Sequence, residues 1–211
     1  MKYERFILFP GYFTNCYLLW EEDSLEAMLI DPAEESREIA NRIRKLGLFL
    51  KYIVNTHGHA DHIAGNRFFV NEFGSPLLIH RNDESFLIDP KQNLSAFYGA
   101  NITSPPASRT LIDKDELSLG NTPIHIIEVP GHTSGGIALY TDCKLFSGDS
   151  LFQESIGRTD LPGGNMKLLT QAIRKNLYTL PDETLVLPGH GESTTIGDEK
   201  IGNPFVNILQ A

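Results

Sequence analysis

The chain of 211 residues has a formal net charge of −9, and 41% of its residues are hydrophobic. Because nucleic acids attract basic surfaces, we expect no nucleic-acid partner for this acidic protein. No run reaches the ~20 apolar residues of a membrane span, and the N-terminal run Phe6–Phe9 is shorter than the ~7–15 residues of a secretory signal. We therefore expect a cytoplasmic protein without a membrane partner, folded as one domain over residues 1–211.

The two cysteines, Cys16 and Cys143, both lie beside apolar runs that are typical of strands. Free cysteine behaves as a small hydrophobic side chain, and disulfides are rare in reducing compartments. We therefore predict that both side chains are buried and unpaired.

The first half of the chain alternates between strand patterns and helix patterns. Asp31-Pro32 is expected to end a strand and open a helix, because proline fits the first turn of a helix. In that helix Ile39, Ile43 and Leu46 recur at helical spacing. The other predicted elements are strands at Arg5–Phe9, Asn15–Trp20, Glu26–Ile30, Tyr52–Val54 and Pro76–Ile79, and a helix at Asp61–Phe73.

The second half repeats this order of strands and helices after a long loop. Proline and glycine punctuate residues 89–110, and a loop of this length usually covers a functional site or a partner surface. The predicted elements beyond it are strands at Thr122–Val129, Ile137–Tyr140, Lys144–Phe146 and Thr184–Leu187, and an amphipathic helix at Asn165–Leu180.

Four potential metal ligands lie within six residues after the strand that ends at Val54. His57 and His59 are two positions apart, so an extended backbone points both side chains to the same side. Asp61 and His62 fall on the first turn of the following helix, from which they can turn back to the same space. Imidazole and carboxylate groups are the ligands that zinc prefers. The segment therefore predicts a metal site.

Three further candidates, His132, Asp149 and His190, each follow a buried strand and a glycine. Ligands tend to bind at the carboxyl ends of strands in sheets covered by helices. Taken singly, each of these residues fits a turn, and Asp61 fits a helix N-cap. Taken together with the histidine-rich segment, they favour one shared metal site.

Two histidines are expected to have no role in that site. His125 alternates with apolar residues on a strand and should face water. His80 ends an apolar run just before a predicted helix start.

The pattern His57-x-His59-x-Asp61-His62, with His132, Asp149 and His190, resembles the metal-binding signature of the metallo-β-lactamase superfamily. Within it, the chain is most similar to the glyoxalase II (hydroxyacylglutathione hydrolase) branch. The runs that resemble the small bacterial members of that branch are Gly148–Phe152, Gly157–Gly164 and Gly189–Gly197. The resemblance implies an α/β fold, an αββα sandwich of two mixed β-sheets flanked by helices.

The same resemblance implies two divalent metal ions, zinc in the first place, with iron or manganese as alternatives. It assigns His57, His59 and His132 to the first ion, Asp61, His62 and His190 to the second, and Asp149 to a bridge between them. For Asp31, two roles stay open: a carboxylate that orients a ligating histidine, or the start of a helix.

The implied reaction is hydrolysis of a small-molecule thioester such as a 2-hydroxyacyl-glutathione, by a hydroxide that bridges the two metals. A thiolate leaves readily, so no strong general acid is required, and Asp61 would serve as the proton acceptor. Arg158 would hold an anionic end of the substrate, because guanidinium suits carboxylates. A plain surface role for Arg158 is equally compatible with the sequence.

The chain departs from the longer glyoxalase II enzymes, which carry a helical C-terminal region that binds glutathione. Here about twenty residues follow His190, so we expect that region to be lacking and the natural thiol stays open. The alternative function is a mononuclear-iron persulfide dioxygenase, whose branch has a Gly-Arg-Thr-Asp run similar to the one at 157–160. A lactonase, a β-lactamase, a nuclease and a non-catalytic metal-binding protein fit less well, and the sequence leaves the oligomeric state open.

Overall fold

Two six-stranded sheets lie face to face in the computed structural model, which describes residues 1–207. The first sheet follows chain order: β1 (Lys2–Leu8), β2 (Thr14–Trp20), β3 (Glu26–Ile30), β4 (Phe49–Val54), β5 (Leu77–His80) and β6 (Arg109–Leu111). Strands β1 to β3 are antiparallel, and β3 to β6 are parallel. The carboxyl ends of β3, β4 and β5 therefore meet at one edge.

In the second sheet, the spatial order of the strands differs from their order in the chain. Its part of the chain contains β7 (Glu116–Leu119), β8 (Thr122–Glu128), β9 (Ile137–Thr141), β10 (Lys144–Gly148), β11 (Leu151–Phe152), β12 (Ser155–Ile156), β13 (Leu185–Pro188) and β14 (Thr194–Thr195). The spatial order is β14-β13-β10-β9-β8-β7, while β11 and β12 form a separate hairpin. Only β10 and β13 pair in parallel within this sheet as described, so both sheets are mixed. The predicted αββα sandwich is confirmed.

Helices cover the outer face of each sheet. On the first sheet lie α1 (Arg37–Lys45), α2 (Ala60–Ile63) and α3 (Asn66–Phe73), and on the second lie α4 (Met166–Ala172), a π-helical turn at Ile173–Leu177, and α5 (Ile196–Gly202). Two 3₁₀ segments, Arg81–Leu87 and Ser95–Tyr98, lie between β5 and β6. Among residues 1–207, no helix has the length and apolar character needed to cross a membrane.

The four layers follow from the alternation of apolar side chains along the strands. On β2, Leu18 packs outward beneath the helices and Leu19 packs inward between the sheets. On β10, Leu145 packs outward and Phe146 packs inward. Because successive side chains point to opposite faces, strands that are apolar at every position require a cover on both sides.

Two helix predictions in the first half of the chain are wrong. The first helix does not open at Asp31-Pro32; it begins at Arg37, where the Ser36 side chain accepts from the Ile39 amide. The predicted single helix at Asp61–Phe73 is two helices, α2 and α3. The break occurs because the Gly65 amide donates to the Pro32 carbonyl at 2.7 Å, outside the helical hydrogen-bond ladder.

Further differences concern short elements with weak sequence signals. The predicted helix at Asn165–Leu180 is regular to residue 172 and π-helical to 177. The predicted loop at 89–110 contains a 3₁₀ turn and the first residues of β6. The elements that the sequence did not predict are β7, β11, β12, β14 and α5. Of these, β11, β12 and β14 have two residues each, too few to show a period.

The prediction for Cys143 is wrong. Cys16 is buried and unpaired as expected, but Cys143 is exposed. It follows Asp142 in the two-residue turn between β9 and β10, and both residues have positive φ, 48° and 54°. A tight hairpin of this kind places its central side chains in solvent.

A substitution at Gly65 tests how tightly the chain packs at the break between α2 and α3. A Cβ atom at this position would lie 2.3 Å from the Glu34 carbonyl oxygen and 2.6 Å from that of Pro32. Because both contacts are backbone atoms, we expect Gly65→Ala to lower the free energy of unfolding by about 1–3 kcal/mol. Urea denaturation measures this change. The control is Gly202→Ala, where a Cβ meets no atom within 4 Å; equal stability of the two variants would contradict the prediction.

Candidate metal centre

All seven predicted ligand side chains converge at the edge where the strands end. Three groups each bring one nitrogen or oxygen per residue within 4.8 Å of one another: His57, His59 and His132; His57, His62 and Asp149; and Asp61, His62 and His190. The residues come from the loops after β4, β8, β10 and β13 and from α2. The seven side chains therefore lie together, as the sequence predicts.

The first group consists of three imidazoles at metal-ligand spacing. His59 Nδ1 lies 3.1 Å from His57 Nε2 and 3.0 Å from His132 Nε2. Two ligands at ~2.1 Å from a tetrahedral zinc ion lie about 3.4 Å apart. These nitrogen atoms are therefore arranged as ligands around a common centre.

The third group, Asp61, His62 and His190, combines two imidazoles with a carboxylate. His190 Nε2 lies 3.3 Å from both His62 Nε2 and Asp61 Oδ2. Asp149 lies between the groups: its Oδ2 is 3.6 Å from His132 Nε2 and 3.4 Å from His190 Nε2. A carboxylate in this position could contact an ion bound in either group.

One buried carboxylate, Asp31, organises both groups from behind. Its Oδ1 accepts from the Thr56 amide at 2.8 Å, and its Oδ2 lies 2.6 Å from Thr56 Oγ1 and 3.0 Å from His62 Nδ1. Because the Thr56 hydroxyl donates to Asp31, it accepts from His57 Nδ1 at 3.2 Å. Both histidines then carry a proton on Nδ1 and present the Nε2 lone pair to the site. Of the two roles left open for Asp31, the structure supports the orienting one.

Two backbone carbonyls have the same effect on two of the three remaining imidazoles, His132 and His190. His132 Nδ1 donates to the Arg158 carbonyl at 2.8 Å, and His190 Nδ1 donates to the Tyr12 carbonyl at 3.0 Å. A carbonyl can only accept, so each ring is fixed in the tautomer whose Nε2 is free to ligate. A metal ion bound at these nitrogen atoms would take the place of any proton on Nε2.

An unsatisfied polar atom supports a bound metal at this site. Within residues 1–207, the buried side-chain atoms without a hydrogen-bond partner include Asp149 Oδ1. A buried carboxylate oxygen without a partner is costly. A divalent cation in contact with Asp149 would remove that cost, and neutral imidazoles with carboxylates are a donor set suited to zinc or iron.

The two halves of the cluster differ in electrostatics. Burial, reinforced by neighbouring imidazoles, lowers the pKa of His59 to about 3 and that of His57 well below its usual value. Burial also opposes protonation of His62 and His190, but the carboxylates of Asp149 and Asp61 outweigh it. The pKa of His62 is raised to about 9 and that of His190 to about 11. The carboxylate-rich half therefore attracts positive charge, and the first half supplies neutral ligands.

The cluster forms the floor of a cavity of about 810 Å³. Arg158 lines the cavity, but its guanidinium makes two 2.8 Å bonds to the carboxylate of Asp160. The two remaining histidines behave as predicted: His125 is exposed on β8, and buried His80 bonds Glu128 at 2.8 Å.

Two supporting residues were missed by sequence reasoning. Asp83 accepts from the amides of Gly58 and Gly135 at 3.0 and 2.7 Å, which joins the metal motif to the loop after β8. Thr14 Oγ1 donates to Asp61 Oδ2 at 3.2 Å. Both contacts join distant parts of the chain, and neither residue belongs to a motif that could have indicated them.

Comparisons with known proteins agree with this geometry. The family model of the metallo-β-lactamase superfamily matches residues 9–190. The chain therefore belongs to the metallo-β-lactamase superfamily, and it is a metallo-hydrolase of that superfamily, whose members typically bind metal ions.

Two curated relatives match nearly the whole chain. The probable metallo-hydrolase YqgX of Bacillus subtilis is 37% identical over 98% of both chains. The hydroxyacylglutathione hydrolase GloC of Haemophilus influenzae is 36% identical over 92% of both chains.

Solved structures are similar over comparable lengths. The BLEG-1 B3 metallo-β-lactamase has a TM-score of 0.91 and 35% identity over 97% of this chain and 99% of its own. TTHA1623 in a di-iron-bound form has a TM-score of 0.84 and 34% identity over 96% and 99%.

The role of Asp31 is testable by substitution. We expect Asp31→Asn to weaken zinc binding by roughly 10–100-fold, the usual effect of losing a group that orients a ligating histidine. Asparagine has the same shape and tolerates the positive φ of 50° at this position. Competition with a chromophoric chelator measures the affinity.

The matched control is Asp142→Asn, because Asp142 also has positive φ, 48°, and lies in the β9–β10 turn away from the site. Unchanged zinc affinity in Asp31→Asn, or an equal loss in both variants, would contradict the orienting role.

Proposed function

We propose that the protein is a binuclear metal-dependent hydrolase of small-molecule thioesters, similar to glyoxalase II. The observation that carries this proposal is the position of Asp149 between two ligand groups on the floor of a cavity. The name of the Haemophilus influenzae relative, hydroxyacylglutathione hydrolase, supports the thioester substrate.

The proposed ligand assignment follows the groups in space. His57, His59 and His132 would hold one ion, Asp61, His62 and His190 the other, and Asp149 both. Zinc is the first candidate, and the di-iron form of TTHA1623 supports iron as an alternative and supports a paired centre. Bound metals supply Lewis-acid polarisation of the thioester carbonyl and lower the pKa of water towards 7.

The protein's own groups would position the reactants and handle the proton. Asp61 lines the cavity, and Thr14 fixes its Oδ2 by a hydrogen bond of 3.2 Å. We assign the carboxylate of Asp61, which would also serve the second ion, as the acceptor of the proton released by the attacking water. The C–O bond to the carbonyl carbon forms, the C–S bond breaks, and the products are a carboxylic acid and a thiol.

A thioester fits this site better than an amide. A thiolate leaves without prior protonation, whereas an amine must receive a proton as the C–N bond breaks. We further propose that Arg158 binds an anionic end of the substrate, in competition with Asp160, which holds the guanidinium in this structure.

Asp149→Asn tests the shared carboxylate. We expect kcat for a thioester to fall by about 10²–10³-fold or more, the loss typical of removing a preorganised electrostatic group. Thermal unfolding of the same samples should show a stability close to that of the wild type. Retention of full activity by the variant would contradict the proposal.

Metal content measured together with substrate turnover separates the functions. Two metals per chain and thioester hydrolysis without oxygen demand support the proposal. One iron per chain with oxygen-dependent turnover of a persulfide would replace it with the dioxygenase. Hydrolysis of β-lactams without thioester turnover would replace it with the lactamase, to which the similarity to BLEG-1 points.

A further inference from the structure

One wall of the cavity is apolar and comes from the segment between β5 and β6. We name Leu94, Phe97 and Tyr98, all of which line the cavity, the 94–98 wall. The segment is anchored by Asn93, which is fully buried. The Asn93 carbonyl accepts from the Ala60 amide at the start of α2, at 3.0 Å, and its side chain donates to the carbonyls of Phe86 and Ile102 at 2.9 Å. The wall is therefore fixed directly to the helix that carries Asp61 and His62.

Leu94 adopts a backbone conformation that disfavours its side chain. Its φ is 72°, in the left-handed region that glycine or asparagine occupies more easily. Within residues 1–207, Leu94 belongs to none of the three hydrophobic core clusters. Neither backbone stability nor core packing explains a leucine here. Its side chain instead contributes an apolar surface to the cavity.

The mouth of the cavity exposes further aromatic surface. The side chain of Phe97 is 74% exposed, and Tyr12 and Tyr98 are about half exposed, with ring centroids 5.9 Å apart. Of the described residues that line the cavity, Arg158 is the only lysine or arginine, and its guanidinium is paired with Asp160. Apolar surface facing water at a binding site favours an apolar ligand group.

We propose that the substrate carries an alkyl or aryl group next to the thioester and that this group packs against the 94–98 wall. The proposal rests on the function proposed above and specifies its substrate class. The apolar group belongs to either the acyl or the thiol half of the substrate, and the experiment below shows which half carries it.

Two matched pairs of thioesters test the preference in the metal-loaded protein. S-lactoylglutathione and S-mandeloylglutathione differ by methyl against phenyl in the acyl half. The lactoyl thioesters of ethanethiol and benzyl mercaptan differ by methyl against phenyl in the thiol half. We expect kcat/KM to be about tenfold higher or more for the phenyl-bearing member of at least one pair, the usual effect of filling an apolar pocket. The pair that shows it identifies the half.

Leu94→Gly separates a specificity role from a structural one. Glycine relieves the positive φ, so the variant should be at least as stable as the wild type. Its kcat/KM for the preferred phenyl-bearing substrate should fall about tenfold, with a smaller change for S-lactoylglutathione. The control is Leu25→Gly, because Leu25 also has positive φ, 57°, and lies in the turn between β2 and β3. The control should leave the kinetic preference unchanged.

Phe97→Ala provides a second variant at an exposed position, where folding is not at risk. It should also reduce the preference for the phenyl-bearing substrate. Equal kcat/KM within both pairs, or a preference that persists in Leu94→Gly and Phe97→Ala, would overturn this inference and leave thioester hydrolysis standing. Failure of the metal-loaded wild type to cleave any of these thioesters would overturn the proposed function and this inference together.

Discussion

The metal centre depends on the buried carboxylate of Asp31. It accepts hydrogen bonds from the amide and the hydroxyl of Thr56 and from His62 Nδ1. The Thr56 hydroxyl in turn accepts from His57 Nδ1. An acceptor behind two imidazoles fixes which nitrogen of each ring is free. The end of β3 thereby controls ligands that follow β4, and the parallel pairing of these strands is what brings them into reach.

The close approach of the candidate ligands also requires glycine at two neighbouring positions, where a Cβ atom would not fit. A Cβ atom on Gly189 would lie 2.3 Å from Asp149 Oδ1, and one on Gly157 would lie 1.9 Å from the Asp149 carbonyl oxygen. Both glycines belong to the runs that resemble the small glyoxalase II proteins. These positions make room for Asp149, so the motif glycines serve the geometry of the candidate site directly.

The convergence of the seven candidate ligands could be predicted from sequence because their signals are local. His57, His59, Asp61 and His62 are spaced by strand and helix geometry within six residues, and the other candidates follow strand–glycine patterns. Asp83 and Thr14 could not be predicted, because their contacts depend on how distant loops pack. For the same reason the break at Gly65 escaped prediction: the helical period continues through it, while the cause is the Pro32 carbonyl of another segment.

Crystallography of the zinc-saturated protein with anomalous scattering tests the central claim most directly. We expect two anomalous peaks, one among His57, His59 and His132 and one among Asp61, His62 and His190, with Asp149 in contact with both. A map without peaks at these positions after saturation, or with a single ion that Asp149 does not touch, would contradict a paired metal centre.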